Sequence, residues 1–357
     1  MSTPATEVTL LADLVRTPSV SGDEAAIAEL ALQAARGLGL DAVRDDTGVK
    51  VELRSARAGS TLALVSHLDV VPPGDGWTRE PFAATIEDGR LYGRGSGDAK
   101  ASISAMLFAA RDVAARGGPA RGRLLVILGL GEETRHTSMP AAVASVGRID
   151  AAVVGEPTNL DIAVAQRGLL MVDLVARGQQ RHAGYADATE GFVNATQRLA
   201  RDLVALERVA RDRPHPLLGH PTITPTMLEA GVGRNVTPPI ARAVLDIRST
   251  PAWPHGELAD ELRRTLESDV VVTSDRLVPC ETPSGSRLLD VASRIRPDAR
   301  HFGSPTCSDW VFLRDRDTIK CGPGTSRNSH TPDEWVTLAE VTAARAFYAR
   351  LVLEYLE

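Results

Sequence analysis

The chain has 357 residues, 43% hydrophobic and 24% charged, the composition of a folded globular protein rather than a disordered or fibrous one. Its 40 basic and 46 acidic residues leave a formal charge of −6 without blocks of like charge, which argues against nucleic acid or an anionic membrane as the main partner. No apolar run approaches the ~18–20 residues that cross a bilayer, and the first cation is Arg16, so a cytoplasmic enzyme without a signal peptide is expected.

In chain order, a helix is expected over residues 7–16, stopped by Thr17-Pro18. A second follows the capping-box spacing Ser21-Gly-Asp-Glu24 and runs to Leu38. Three short apolar runs, residues 61–66, 123–129 and 151–154, read as strands buried on both faces, with a helix over 101–115 between the first two. Strands alternating with helices predict an α/β sheet covered on both sides. From Arg167 the order becomes strand 169–176, helix 191–210, strands 222–229 and 241–248, helix 257–266 and strand 269–273. That β-α-β-β-α-β order is ferredoxin-like, and it predicts an α+β domain inserted into the first. The expected boundaries are 1–165 plus 278–357 for the interrupted domain and 166–277 for the insert. A last helix starts near Thr337, where Thr337-x-x-Glu340 again has capping-box spacing, and ends at Leu356. Cys280, Cys307 and Cys321 are odd in number and widely spaced, so a bound metal must rely on His, Asp and Glu.

Five segments carry candidate chemistry. His67 and Asp69 end a buried strand and share a face, as a metal ligand and its orienting carboxylate do; a core histidine beside a surface aspartate gives the same pattern. Asp98 follows a glycine-rich run and precedes a helix, which suits either a ligand or an N-cap. Glu132 and Glu133 follow the most apolar strand; they read as a base and a ligand around a cation, or as a solvated pair. Glu156 repeats the pattern one strand later. His330 stands directly before Thr331-Pro332-Asp-Glu334, which has the form of a helical start with Thr as N-cap, Pro at N1 and Glu at N3. Together the order His, Asp, Glu-Glu, Glu, His offers too many oxygens for a structural zinc site and suits a two-metal hydrolytic centre at strand ends.

This motif order, over essentially the whole chain, resembles the M20 family of dinuclear zinc amidohydrolases, which includes acetylornithine deacetylase, succinyl-diaminopimelate desuccinylase, aminoacylases and carboxypeptidase-type relatives. The resemblance implies a zinc-peptidase-type catalytic domain, a mixed sheet with helices on both faces, and an inserted ferredoxin-like lid and dimerisation domain. It implies two Zn2+ per subunit, with Co2+ able to substitute. His67, Asp98 and Glu156 would hold one ion, and Asp98 would bridge to a second held by Glu133 and His330. Glu132 would be the general base and Asp69 would orient His67. In the insert, His182 would stabilise the oxyanion, across the interface of a homodimer in dimeric relatives, while Arg248 and Asn235 would bind the substrate α-carboxylate. After His182 the chain reads Ala-Gly-Tyr-Ala, without the proline often found there. Thr306-Cys-Ser-Asp309-Trp310 lacks the arginine of the desuccinylase pattern.

The expected reaction is therefore hydrolysis of a small N-acyl amino acid, with N-acetylornithine or N-acetylcitrulline deacetylation in arginine biosynthesis as the main reading. The alternatives are succinyl-diaminopimelate desuccinylase, a di- or tripeptidase, and a deacylase of carrier-bound N-acyl-lysine. Outside the class stand a non-catalytic metal-binding protein, which has no need of Glu132, and a dinuclear phosphoesterase, for which no phosphate clamp is visible.

Overall fold

The structure, a computed structural model, describes residues 6–188 and 190–357; the first five residues of the opening segment lie outside the described residues. The chain forms two compact units. One comprises residues up to Val164, Thr282–Phe302 and Ser308–Glu357; the other comprises Ala165–Glu281 and Gly303–Cys307.

In the first unit a mixed sheet runs in the order Ala42–Asp45, Gly48–Arg54, Arg123–Gly129, Thr61–His67, Ala151–Val154, Asp317–Lys320 and the start of the strand Ile162–Gln166. The four central strands, Arg123–Gly129 through Asp317–Lys320, are mutually parallel, and strands towards the edges turn antiparallel. Every residue of Thr61–His67 is buried, so both faces are covered, as the unbroken apolar runs require. Leu62, Leu64, Val126 and Leu128 join Met106 and Phe108 of the helix Ala101–Ala115 and Tyr348 of the helix Leu338–Tyr355 in one core. A separate three-stranded sheet, Trp335–Thr337 with Arg90–Tyr92 and Thr85–Glu87, was not visible in the sequence pattern, because three-residue strands carry almost no periodicity.

The second unit contains a four-stranded antiparallel sheet in the order Thr222–Ala230, Ile240–Ser249, Gly168–Arg177 and Asp269–Leu277. Alternate residues Leu170, Val172, Leu174 and Ala176 are buried beneath Leu199 of the helix Ala195–Ala205 and Leu258 and Leu262 of His255–Thr265. This is the expected ferredoxin-like order of elements. The first of these helices is shorter than residues 191–210, because the Asn194 side chain caps the amides of Thr196 and Gln197 and so starts it later.

Three local expectations are corrected. The Ser21–Glu24 capping box does not form: the helix Ala25–Gly37 has no side-chain cap, and the Ser21 hydroxyl goes elsewhere. Asp98 is not an N-cap, since the helix Ala101–Ala115 begins after Lys100 without a side-chain cap. No helix starts at Thr331; the segment turns, continues as Trp335–Thr337, and helix begins only at Leu338, where the Thr337–Glu340 capping box does form. Among the described residues no helix is long and apolar enough to cross a membrane.

Candidate metal centre

Three adjacent parallel strands bring candidate ligands to one edge. His67 is the last residue of Thr61–His67 and pairs with Gly129, so Glu132 and Glu133 emerge from the same edge three residues on. Val65 pairs with Val154, which places Glu156 there as well. The glycine before it permits this approach: a Cβ at Gly155 would stand 2.4 Å from Met106 Cε and 2.8 Å from Ser102 Cβ. The carboxyl ends of parallel strands thus gather what the chain order only suggested.

Asp98 stands at the middle. Its Oδ1 lies 3.3 Å from His67 Nε2, and its Oδ2 lies 3.7 Å from His330 Nε2. Each imidazole has its own glutamate: Glu156 Oε1 is 3.8 Å from His67 Nε2, and Glu133 Oε1 is 3.0 Å from His330 Nε2. Ligand atoms of His67, Asp98 and Glu133 all lie within 4.8 Å of one another. The Asp98–Ala99 peptide is cis, and Ser329 donates its hydroxyl to Asp98 Oδ2. His67 is sealed, whereas the His330 side chain is 50% exposed, so solvent reaches the pocket from the His330 side.

The donor set fits two divalent cations. His67 donates Nδ1–H to the Asp69 backbone carbonyl at 3.0 Å, which turns the Nε2 lone pair into the pocket, the arrangement of an imidazole ligand. The charge is also wrong for an empty protein interior. Burial, together with the Asp98 charge, pushes the Glu156 carboxyl up to about 8. Burial, joined by the charges of Glu156, Asp309 and Glu133, holds Glu132 well above its ordinary value despite His67. Burial opposes charge on His67 too, yet the surrounding carboxylates outweigh it and raise its pKa well above the usual imidazole value. A pocket that strains in this way towards positive charge is one that cations neutralise.

Asp69 organises more than His67. Its carboxylate accepts the amides of Glu132 at 3.0 Å and Glu133 at 3.1 Å and the Ser21 hydroxyl at 2.7 Å, with His67 Nδ1 at 3.4 Å. Burial raises its pKa, but these donors outweigh burial and bring it down to about 2. Fully buried, Asp69 is placed to position its neighbours rather than to meet substrate. Asp69→Asn keeps the shape but loses an acceptor, and is expected to weaken metal binding by about 10–100-fold. Competition against a chromophoric chelator measures this; unchanged affinity would remove Asp69 from the site's support.

Sequence reasoning missed a second support. Glu334, expected in a helical turn, is instead buried, with Oε2 2.6 Å from Arg94 Nη1 and Oε1 accepting the amides of Gly97 and Asp98 at 3.0 Å each. It also missed His136, whose Nδ1 lies 3.7 Å from Glu132 Oε1 and 3.3 Å from Asp309 Oδ1.

The remaining candidates belong to the second unit. His182 and Asn235 are brought together by a two-stranded ribbon in which His182 pairs with Val236 and the Ala183 amide bonds the Asn235 carbonyl at 2.8 Å. His182 Nδ1 accepts the Gly184 amide at 3.1 Å, which leaves Nε2 to carry the proton of the neutral ring. Arg248 lies on Ile240–Ser249 and forms a fork with Asp246, Nε to Oδ1 at 2.8 Å and Nη2 to Oδ2 at 3.0 Å. Period-two spacing could have revealed that pair, since residues i and i+2 of a strand share a face.

Comparison with known proteins finds relatives over nearly the whole chain. Residues 63–354 match the profile of peptidase family M20/M25/M40. The chain is 30% identical over 379 residues to succinyl-diaminopimelate desuccinylase 2 of Ruegeria sp. (strain TM1040), covering 98% of this chain and 94% of that protein. Other desuccinylases match at 30–31% over 96–99% of this chain. It is 31% identical over 336 residues to acetylornithine deacetylase of Myxococcus xanthus, covering 87% and 86%. Among solved structures, aminopeptidase PepT of Bacillus cereus superposes with a TM-score of 0.81 at 21% identity over 98% of each chain, which supports a shared fold: a mixed-sheet domain with an inserted antiparallel one.

Proposed function

Because the chain belongs to peptidase family M20/M25/M40, we propose that it hydrolyses the amide bond of an N-acyl amino acid using two divalent cations, with zinc as the resident metal. The observation that carries this reading is Asp98, whose two oxygens face two imidazoles, each with its own glutamate. His67, Asp98 and Glu156 would hold one ion in this reading; Glu133, Asp98 and His330 would hold the other. When bound, the two ions supply Lewis acidity and a water whose pKa falls to ~7.

Glu132, as the carboxylate, then takes a proton from the attacking water and passes it to the leaving amine. Asp69 holds His67 and the Glu132–Glu133 amides in register. His182 donates Nε2–H to the oxyanion. Arg248 and Asn235 bind the substrate α-carboxylate, and for Arg248 this means sharing its guanidinium with Asp246. In this reading a homodimer would form through the inserted domain, whose edge strand Thr222–Ala230 exposes Met227 and Leu228.

The desuccinylase relatives, spanning nearly the whole chain, favour N-succinyl-diaminopimelate as substrate over N-acetylornithine. The acetylornithine reading keeps one observation of its own: Trp310 follows Ser308-Asp309 where the desuccinylase pattern has an arginine, a cation that a succinyl tail would favour. A panel of N-succinyl-diaminopimelate, N-acetylornithine, N-acetylcitrulline and a dipeptide decides by kcat/KM. The succinyl substrate is expected to lead, and a lead for N-acetylornithine would restore the other reading. Chelation should abolish turnover, and Zn2+ or Co2+ should restore it; no turnover of any substrate by metal-loaded protein sinks the amidohydrolase reading.

A further inference from the structure

We propose that Glu132, His136 and Asp309 form a third divalent-cation site, whose filling silences the enzyme by engaging its general base; the inhibitory half rests on the role of Glu132 proposed above. The three side chains come from separate places. Glu132 follows the strand Arg123–Gly129, His136 closes the turn in which its amide bonds the Gly131 carbonyl at 2.8 Å, and Asp309 opens the helical turn Asp309–Leu313. One ligand atom from each lies within 4.8 Å of the other two. The separations from His136 Nδ1 are 3.3 Å to Asp309 Oδ1 and 3.7 Å to Glu132 Oε1. Donors on a tetrahedral cation with bonds of ~2.0–2.1 Å stand roughly 3.3–3.4 Å apart, a spacing that both separations from His136 Nδ1 approach.

A hydrogen-bond account explains less. A single Nδ1–H serves one carboxylate, and here two buried carboxylates face the same ring nitrogen. One imidazole and two carboxylates suit zinc and its borderline neighbours rather than calcium or magnesium. None of the three is in the proposed ligand set of the two-metal centre, so a third cation there displaces none of that centre's proposed ligands. A carboxylate oxygen held by a cation no longer accepts a proton from the attacking water. High free zinc therefore removes the base and leaves the two resident ions in place.

The test uses the full chain loaded with two zinc ions. It is equilibrated against rising buffered free Zn2+, with bound zinc per chain and turnover of the panel's best substrate read on the same samples. A third equivalent is expected to bind, with turnover falling along the same curve. His136→Ala should raise the midpoint of third-equivalent binding by at least about tenfold, the lower end of what losing even an indirect partner of a metal costs. Asp309→Asn, which preserves the buried shape, should do the same where His136→Ala folds poorly. Saturation at two equivalents, or an unchanged midpoint in both variants, overturns the proposal. So does a third equivalent that binds while turnover stays constant. Should no substrate be turned over, third-equivalent binding that weakens in both variants still supports the cation site, and only the hydrolase reading fails.

Discussion

Glu132→Ala is expected to lower kcat by ~10²–10⁴-fold, the usual contribution of a general base, while two metal ions per chain stay bound. The reason lies in how the loop is held. Asp69 anchors it through the main-chain amides of Glu132 and Glu133, so truncating the Glu132 side chain leaves Glu133 facing His330. Metal analysis and steady-state kinetics on the same sample separate the outcomes. Lost activity with retained metal supports the base. Lost metal would reverse the two adjacent glutamates, making Glu132 the ligand, and retained activity would place the proton transfer elsewhere. Glu132→Gln tests charge apart from volume, and it too should be nearly inactive, because an amide cannot take the proton.

Glu334→Ala is expected to cost ~3–5 kcal/mol of folding stability, because it strands the buried Arg94 guanidinium without its partner. Both side chains are at most 2% exposed, so water cannot replace the lost contact cheaply. The amides of Gly97 and Asp98 lose their acceptor at the same time, which should loosen Asp98 and weaken metal binding in the folded protein. Urea denaturation of the metal-free protein reads the first effect and chelator competition the second. Glu334→Gln retains an acceptor for the amides and should fall between wild type and alanine. The double variant Arg94→Met/Glu334→Leu should lose less than the sum of the two singles, since it removes both buried charges together. A loss below about 1 kcal/mol for Glu334→Ala, the scale of a surface pair, would show that the contact is not the support inferred for Asp98.

The two predictions differ in where their residues became legible. Glu132 and Glu133 were visible as a carboxylate pair after an apolar strand, and His67 and Glu156 likewise stood at strand ends. Burial on both faces makes such strands continuous apolar runs, so their ends are marked by the first charged residue. The expected order of the inserted domain was readable for the related reason that its half-buried strands Gly168–Arg177 and Ile240–Ser249 alternate. Arg94 and Glu334 were invisible as partners, being 240 residues apart in the chain. His136 and Asp309 are likewise 173 residues apart.

What the sequence determined by itself was the order of the longer elements and which polar residues stand at the ends of the buried strands, because apolar runs mark both the strands and their ends. What only the tertiary structure decided was the use of polar residues whose local pattern fits two fates. Ser21 and Glu334 each occupy a position that reads as a helix cap, yet they serve Asp69 and Arg94 instead. The physical reason is one of magnitude. A cap contributes ~0.5–2 kcal/mol, whereas leaving one member of a buried ion pair unpaired costs ~3–5 kcal/mol, so for Glu334 the distant partner prevails over the local pattern. Asp98 follows the same logic: next to a helix start, but needed between two imidazoles, it faces the imidazoles.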